Sequence, residues 1–394
     1  MNLRKKVKVF RSVFEIGKDA IDSLSDDPFF TFGWLRTLET QRSFGMAPIY
    51  VAVYEEGILE ALAPCFLDLQ DHFFIDGPQI MPFMKRLLKL GQKLGYCQSH
   101  VLLCYSPFCL RSKILLKKDP QGKLILNLIS KKMDDICKEK QILFSSFLFV
   151  SEFDRLLTNN LTNLGYSRFD GTTTFYLDIQ WATFEDYLKS LKRMNRHSIR
   201  REMRKCAENG VTIKETDFKD LSEKMSDLVS NLISKYDKNS DNLFDPGFFV
   251  KLDQYARDKT KLFIAEKNND IVGFSLCLRQ RDALDVFMCG FDYEVQTSTD
   301  FTYFNLCYYA PIQWSIDEGI KKMYYRRKSE RAKLYRGCKM ERTYSFVKCH
   351  DAVLSFWINK VFKNSIYSPK LKLYSHAHEQ KNVFSQEQLR STIR

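Results

Sequence analysis

A chain of 394 residues is too long for one ordinary hydrophobic core, and 44% apolar residues with 32 Phe and 19 Tyr exclude an intrinsically disordered chain. The formal charge of +13 gives a positive field that suits phosphates, nucleic acid or anionic lipid without choosing among them. The 11 Cys form no CxxC pair and no Cys/His constellation of zinc spacing, and no stretch reaches the roughly 18 apolar residues of a membrane span, which excludes a disulfide scaffold, a zinc ribbon and a transmembrane protein.

In chain order, the start MNLRKKVKVFRSVFEIGKD alternates apolar residues with Lys and Arg and lacks the apolar core of a signal peptide, so a cytoplasmic protein is expected. IYVAVYEEGILEALAPCFLDL reads as a hairpin turning at Glu55-Glu56-Gly57. FFIDGP predicts a short strand and PFMKRLLKLGQKLGY a helix; VLLCYSP and ILFSSFLFV are buried strands around the helical LILNLISKKMDDICKEK. Next come a helix stopping at Gly165, a Thr-rich strand, and one long helix from Trp181 to Gly210. VTIKET is a strand, DLSEKMSDLVSNLISKYD and PGFFVKLDQYARD are helices, and KLFIAEKNNDIVGFSLCLRQRDALDVFMCGFD gives three antiparallel strands with turns at Asn268-Asn269-Asp270 and between Arg279 and Asp282. FTYFNLCYYAPIQWSIDEG is helical, followed by a strand in IKKMYYRR, a helix around SERAKLYRG and a last strand in TYSFVKC. His376 and His378 fall in a polar tail, where a solvated pair is the expectation and a metal site is not.

Strands and helices alternate throughout, so the fold class expected is α/β. The hairpin IAEKNNDIVGFSLCL followed by strand, helix and strand resembles the core of the GNAT acyltransferases. The run FYLDIQWATFEDYLKSLKRMNRHSIRREMRKCAENGVTI, and the closing section with Gly-Phe-Asp, an aromatic helix and a Lys before Arg-Gly, resemble the Fem-type and BioF2-like acyltransferases, best over Thr172 to Val347. The resemblance implies two tandem GNAT-like modules with mixed sheets flanked by helices, over residues 1–170 and 171–347, with the transfer site in the second and a docking helix and tail over 348–394. It implies transfer of an acyl or aminoacyl group from an acyl-CoA, another thioester or an aminoacyl-tRNA to an amine-bearing acceptor, without a bound cofactor or metal. The Gly-rich pyrophosphate loop of simple GNATs is replaced between Phe291 and Phe301 by Asp-Tyr-Glu-Val-Gln-Thr-Ser-Thr-Asp, which puts acetyl-CoA as donor in doubt.

Between Lys189 and Lys205 stand eight Lys/Arg and one acid, Glu202. At helical spacing Lys189, Arg193, Arg196, Arg200 and Arg204 share a face opposite Leu188, Leu191 and Ile199. This stripe is a candidate phosphate site; the alternatives are a solvated face or peripheral contact with an anionic membrane. Thr297, Ser298, Thr299 and Asp300 precede a helix, where they cap it or hold an anion. Arg326, Arg327, Lys328, Arg331, Lys333 and Arg336 cluster around the next helix, and the resemblance singles out Lys333 and Gly337: Lys333 would orient a donor carbonyl or a phosphate, with Arg326 and Arg336 as phosphate ligands. Asp292, Tyr303 and Asp300 are candidate bases or orienters, and Cys289, with no His beside it, reads as a buried thiol. A catalytically inactive GNAT-like module that binds RNA or another anionic polymer is the competing reading.

Overall fold

The computed structural model describes residues 5–356 apart from 42–44, 69–100, 118–120, 219, 237–243, 296–298 and 353. The expected strand at 73–78, the helix at 82–96, Thr297, Ser298, His376, His378 and the tail lie outside the described residues.

Thirteen strands form one sheet. The first half supplies β1 (Lys6–Phe10), β2 (Met46–Glu55), β3 (Ile58–Asp68), β4 (Val101–Cys104), β5 (Leu115–Leu116), β6 (Phe144–Ser151) and β7 (Ser167–Asp178). The second half supplies β8 (Thr212–Thr216), β9 (Thr260–Lys267), β10 (Asp270–Arg279), β11 (Ala283–Phe291), β12 (Lys322–Tyr325) and β13 (Lys339–Cys349). Helices α1 (Lys18–Asp22), α2 (Phe32–Thr40), α3 (Gly122–Glu139) and α4 (Arg155–Asn160) belong to the first half. The second carries α5 (Phe184–Ser190), α6 (Arg193–Glu208), α7 (Ser222–Tyr236), α8 (Pro246–Ala256), α9 (Thr302–Phe304), a π-helical turn (Asn305–Tyr309), α10 (Ala310–Asp317) and α11 (Glu330–Tyr335).

The strand order β1-β2-β3-β4-β6-β13-β7-β12-β11-β10-β9-β8 reads as the same pattern from either edge. Three antiparallel pairings are followed by one parallel pairing, β4 with β6 and β11 with β12, and then by an antiparallel closing strand. The closing strands are exchanged: β7, which follows β6 in the chain, pairs with β12, and β13, which follows β12, pairs with β6. β7 and β13 pair with each other and join the halves into one sheet, and residues 170 and 171 lie within β7.

Both predicted hairpins form, and their turns show why those residues stand there. Glu56 and Gly57, and Asn268 and Asn269, have positive φ, as a tight turn with the twist of its strands requires. Alternation along β2 then buries both faces: Val51 and Val53 pack with Ile129 and Met133 of α3, while Tyr50 and Ala52 join a second core. That second core is shared, since it also takes Trp34 of α2, Leu228 of α7, Phe248 of α8 and Leu276 of β10. At Gly33 α2 meets α8 so closely that a Cβ there would lie 2.1 Å from the Tyr255 carbonyl oxygen. A third core covers the other side of the second half, where α5, α6, the π turn and α10 pack on Leu177 and Met323.

One expectation is corrected. The long helix from Trp181 to Gly210 is two helices, because Leu191 is extended (φ −87°, ψ 159°) and its side chain packs toward the core, so α6 starts afresh at Arg193. The basic start forms edge strand β1 against β2.

Candidate active site

β11 and β12 run parallel from Ala283↔Lys322 to Val286↔Tyr325, where β12 ends. β11 continues to Phe291, held by β10 alone, and a register shift at Leu276/Cys277 leaves Phe287 as an extra residue at the point of parting. The strands therefore splay in the second half. In the first half β4 and β6 part at Cys104↔Phe147, but there the chain returns: Ser112 bridges to Val150, and its N–H donates to the Phe149 carbonyl at 2.8 Å. Main-chain hydrogen bonding thus closes the first opening.

The end of β12 leads into 326–329, and α11 folds back over it. Lys333 is only 4% exposed, and its ammonium donates to the carbonyls of Arg326, Arg327 (3.2 Å) and Lys328 while sitting 4.7 Å from the centre of the Phe175 ring. Burial pulls its pKa down to about 8, which leaves the group charged at neutral pH. Ser329, with φ 61°, turns the chain into the helix. The sequence cluster thus buries two cations, of which Lys333 is the one that caps the chain where β12 ends.

Arg336 has a different fate from the phosphate ligand expected of it. At 2% exposure its Nη2 donates to Glu202 Oε2 (2.7 Å) and to the Tyr309 hydroxyl (2.7 Å), Nη1 donates to the Ala332 carbonyl, and the guanidinium lies 3.9 Å from the Phe304 ring centre. Tyr309 Oη also donates to Glu202, and Asn305 Nδ2 donates to the Glu202 carbonyl at 3.2 Å. Arg336 is therefore an internal strut that ties α6, the π turn and the end of α11 together. Glu202, the lone acid of the basic run, is its inward-facing partner, and the sequence signal for it was an acid at the helical spacing of Ile199 and Cys206.

The remaining candidates are dispersed. Tyr303 packs on Phe291, Phe304 and Tyr308, and burial pushes its hydroxyl well above the ordinary tyrosine range. Asp292 Oδ1 accepts from the Glu294 and Val295 N–H groups and fixes the turn after β11. Asp300 is buried against Lys267 at 3.0 Å, and the Thr299 carbonyl accepts from Asn209, so this segment is knitted to β9 and α6. Phe301 is left-handed (φ 52°), and the expected helix begins with only three residues before it widens into the π turn. Arg326 points to the other side of the sheet, donating to the Phe108 carbonyl at 2.7 Å.

On α6, Arg193, Arg200 and Arg204 are exposed, but the stripe is not free of acids. Arg200 pairs with Glu185 of α5, and Arg204 and Lys205 with Glu208. Arg196 donates to the Lys189 carbonyl and so seals the break between the helices. Cys289 and the other described cysteines are free thiols. Among the described residues no group of three or more His, Cys, Asp or Glu side chains could hold a metal ion, and no helix is long and apolar enough to cross a membrane.

Comparison with known proteins fits this geometry. The model of the FemAB-like family, described as peptidoglycan biosynthesis/recognition, matches residues 12–368. The chain is similar to the crystal structure of FemX, with 12% identity, 90% of this chain and 99% of that chain covered, and a TM-score of 0.59. It is also similar to the C-terminal domain of a putative lysylphosphatidylglycerol synthetase from Agrobacterium fabrum (9% identity, 86% and 93% covered, TM-score 0.53). A tandem GNAT protein from the clavulanic acid biosynthesis pathway superposes with 8% identity, 88% and 99% covered, and a TM-score of 0.50. No curated protein sequence matches the chain. With a sheet that repeats the GNAT pattern in each half and a family match over most of its length, the chain belongs to the FemAB-like family and is an acyltransferase of tandem GNAT-like fold.

Proposed function

We propose that the chain transfers an aminoacyl or acyl group from an activated ester or thioester to an amine, and that transfer occurs at the splay of the second half, where β11 and β12 part. The observation that carries this reading is the contrast between the two openings: Ser112 bridges the first, while the second ends at a buried ammonium. Attack of an amine on a carbonyl builds negative charge on the carbonyl oxygen, which a desolvated cation stabilises far better than water does. In this reading Lys333 exchanges its longest contact, the 3.2 Å one to the Arg327 carbonyl, for the donor's carbonyl oxygen. Asp292, whose Oδ1 is held by the turn, takes the amine proton on its other oxygen and passes it to the alkoxide or thiolate that leaves as the ester or thioester bond breaks and the amide bond forms. Aminoacyl-tRNA suits the missing Gly-rich loop and the cationic α6 better than acetyl-CoA does, with exposed Arg200 and Arg204 exchanging Glu185 and Glu208 for the phosphates. The cytoplasm is where such a donor is found.

The test is single-turnover transfer from radiolabelled aminoacyl-tRNA, and separately from acyl-CoA, to a panel of amine acceptors including peptidoglycan precursors. Replacing Lys333 with Ala is expected to lower the rate by about 10²- to 10³-fold with cooperative melting retained. A folded Lys333→Ala protein that transfers at the unmodified rate refutes the assignment.

A further inference from the structure

We infer that the start of α6, the outer side of α11 and the Met340 end of β13 form one face that docks on an anionic lipid bilayer. Three large apolar side chains stand in solvent there: Met194 at 76% exposure, Leu334 at 42% and Met340 at 51%. Scattered exposed apolar residues are ordinary in soluble proteins, but these three converge. The Tyr335 hydroxyl donates to the Met194 carbonyl at 3.2 Å, and Asn195 Nδ2 donates to the Tyr335 carbonyl at 2.7 Å, which fastens the first turn of α6 to α11 beside Leu334. Met340 is the register partner of Phe175 and shares its side of the sheet, and Phe175 lies beneath the Lys333 ammonium, one residue from Leu334.

The same face carries cations that the rest of α6 has spent on acids. Lys192, Arg193 and Arg331 are exposed and make no ion pair among the described residues, whereas Arg200, Arg204 and Lys205 do. Glu330 is the exposed acid of α11. A nucleic acid would use the cations and leave Met194, Leu334 and Met340 in water. A bilayer uses both, because anionic headgroups attract Lys and Arg while the boundary below them accepts Met and Leu. The charge complementarity together with the apolar triplet commits the face to lipid, independently of where transfer occurs.

Co-sedimentation of the full chain with phosphatidylcholine vesicles containing phosphatidylglycerol, against phosphatidylcholine alone, tests this directly. Binding is expected only with the anionic lipid, weakening as salt rises. It should fall at least tenfold in the triple variant Met194→Ser, Leu334→Ser, Met340→Ser and at least tenfold in Lys192→Glu, Arg193→Glu, Arg331→Glu. Thermal melting checks that each variant folds, and the single Met194→Ser replacement, expected to lower binding severalfold, serves if the triple variant does not fold. Absence of binding to anionic vesicles overturns the inference, as does binding that survives the apolar replacements. Transfer RNA bound through this face with no vesicle binding overturns it as well.

Discussion

Replacing Glu202 with Gln keeps the side chain's size but removes the charge that faces Arg336. The guanidinium is then left 2% exposed against neutral acceptors alone: the introduced amide oxygen, the Tyr309 hydroxyl and the Ala332 carbonyl. Removing one member of a buried ion pair costs about 3 to 5 kcal/mol, chiefly because the other charge is stranded. Unfolding entropy of about 2.1 cal/mol/K per residue over 394 residues is about 0.8 kcal/mol/K, so a loss of about 4 kcal/mol lowers the melting midpoint by about 5 °C. The double replacement Glu202→Leu, Arg336→Leu removes both charges and leaves chiefly the Tyr309 hydroxyl unmatched, a cost of about 1 to 3 kcal/mol, so it should melt above the single variant. Differential scanning calorimetry at neutral pH measures both. If Glu202→Gln melts within 1 °C of the unmodified protein, or below it the double variant melts lower still, Arg336 is not the strut described, and a ligand role for it reopens.

Gly33→Ala would place a methyl 2.1 Å from the Tyr255 carbonyl oxygen, forcing α2 and α8 apart; a loss of about 1 to 3 kcal/mol in urea titration is expected. Raising pH through about 8 discharges Lys333, so transfer that depends on the ammonium should fall across that range. The unfolded chain keeps this proton to about pH 10.4 and so binds more protons than the folded one between the two values; Lys333's contribution to stability therefore rises over that window, and the rate loss is separable from alkaline unfolding by melting Lys333→Met in parallel. Reversing Arg200 and Arg204 to Glu should weaken tRNA binding and flatten its dependence on salt by about 0.9 logarithmic units per lost phosphate contact; unchanged affinity and slope would leave this part of α6 a solvated face.

Elements that rest on local chemistry were legible in the sequence. The two-residue turns at Glu56-Gly57 and Asn268-Asn269 announce their hairpins, and Asp245 before Pro246 caps α8 by accepting from the Phe248 N–H at 2.9 Å. Lys333 was singled out by resemblance to the family, and its burial over three carbonyls supplies a physical reason for a cation there. What escaped depends on partners remote in the chain. Glu202 and Arg336 meet across 134 residues, so a sequence pattern registers one as part of a basic run and the other as part of a surface cluster. Arg200 likewise looks unpaired until the break at Leu191 swings Glu185 onto it. Helix α2 was missed because its apolar residues, Trp34, Leu35 and Leu38, face a core assembled from both halves, and its Thr31 cap is a weak local signal.

The exchanged strands couple the proposed transfer site to the half that does not contain it. β7 supplies Phe175 beneath Lys333, yet it leaves the first half directly from β6 through α4. β13 returns from α11 to close the first half against β6, with Ser151 donating to the buried Glu341 carboxylate. On the opposite side of the sheet, Arg111 of the first half pairs with Asp285 of β11 at 2.8 Å, two residues before Phe287, where β11 departs from its register. Burial raises the Asp285 pKa and the Arg111 charge opposes that rise, so the pair is held together by the low dielectric that makes either member costly alone. The second half then cannot present the splay by itself: it lacks both its closing strand β7 and the cation that balances Asp285. A tandem arrangement of this kind turns two repeats into one structural unit, because the opening that is sealed in the first half sends out, in residues 105–112, the loop whose Phe108 and Arg111 brace the opening in the second.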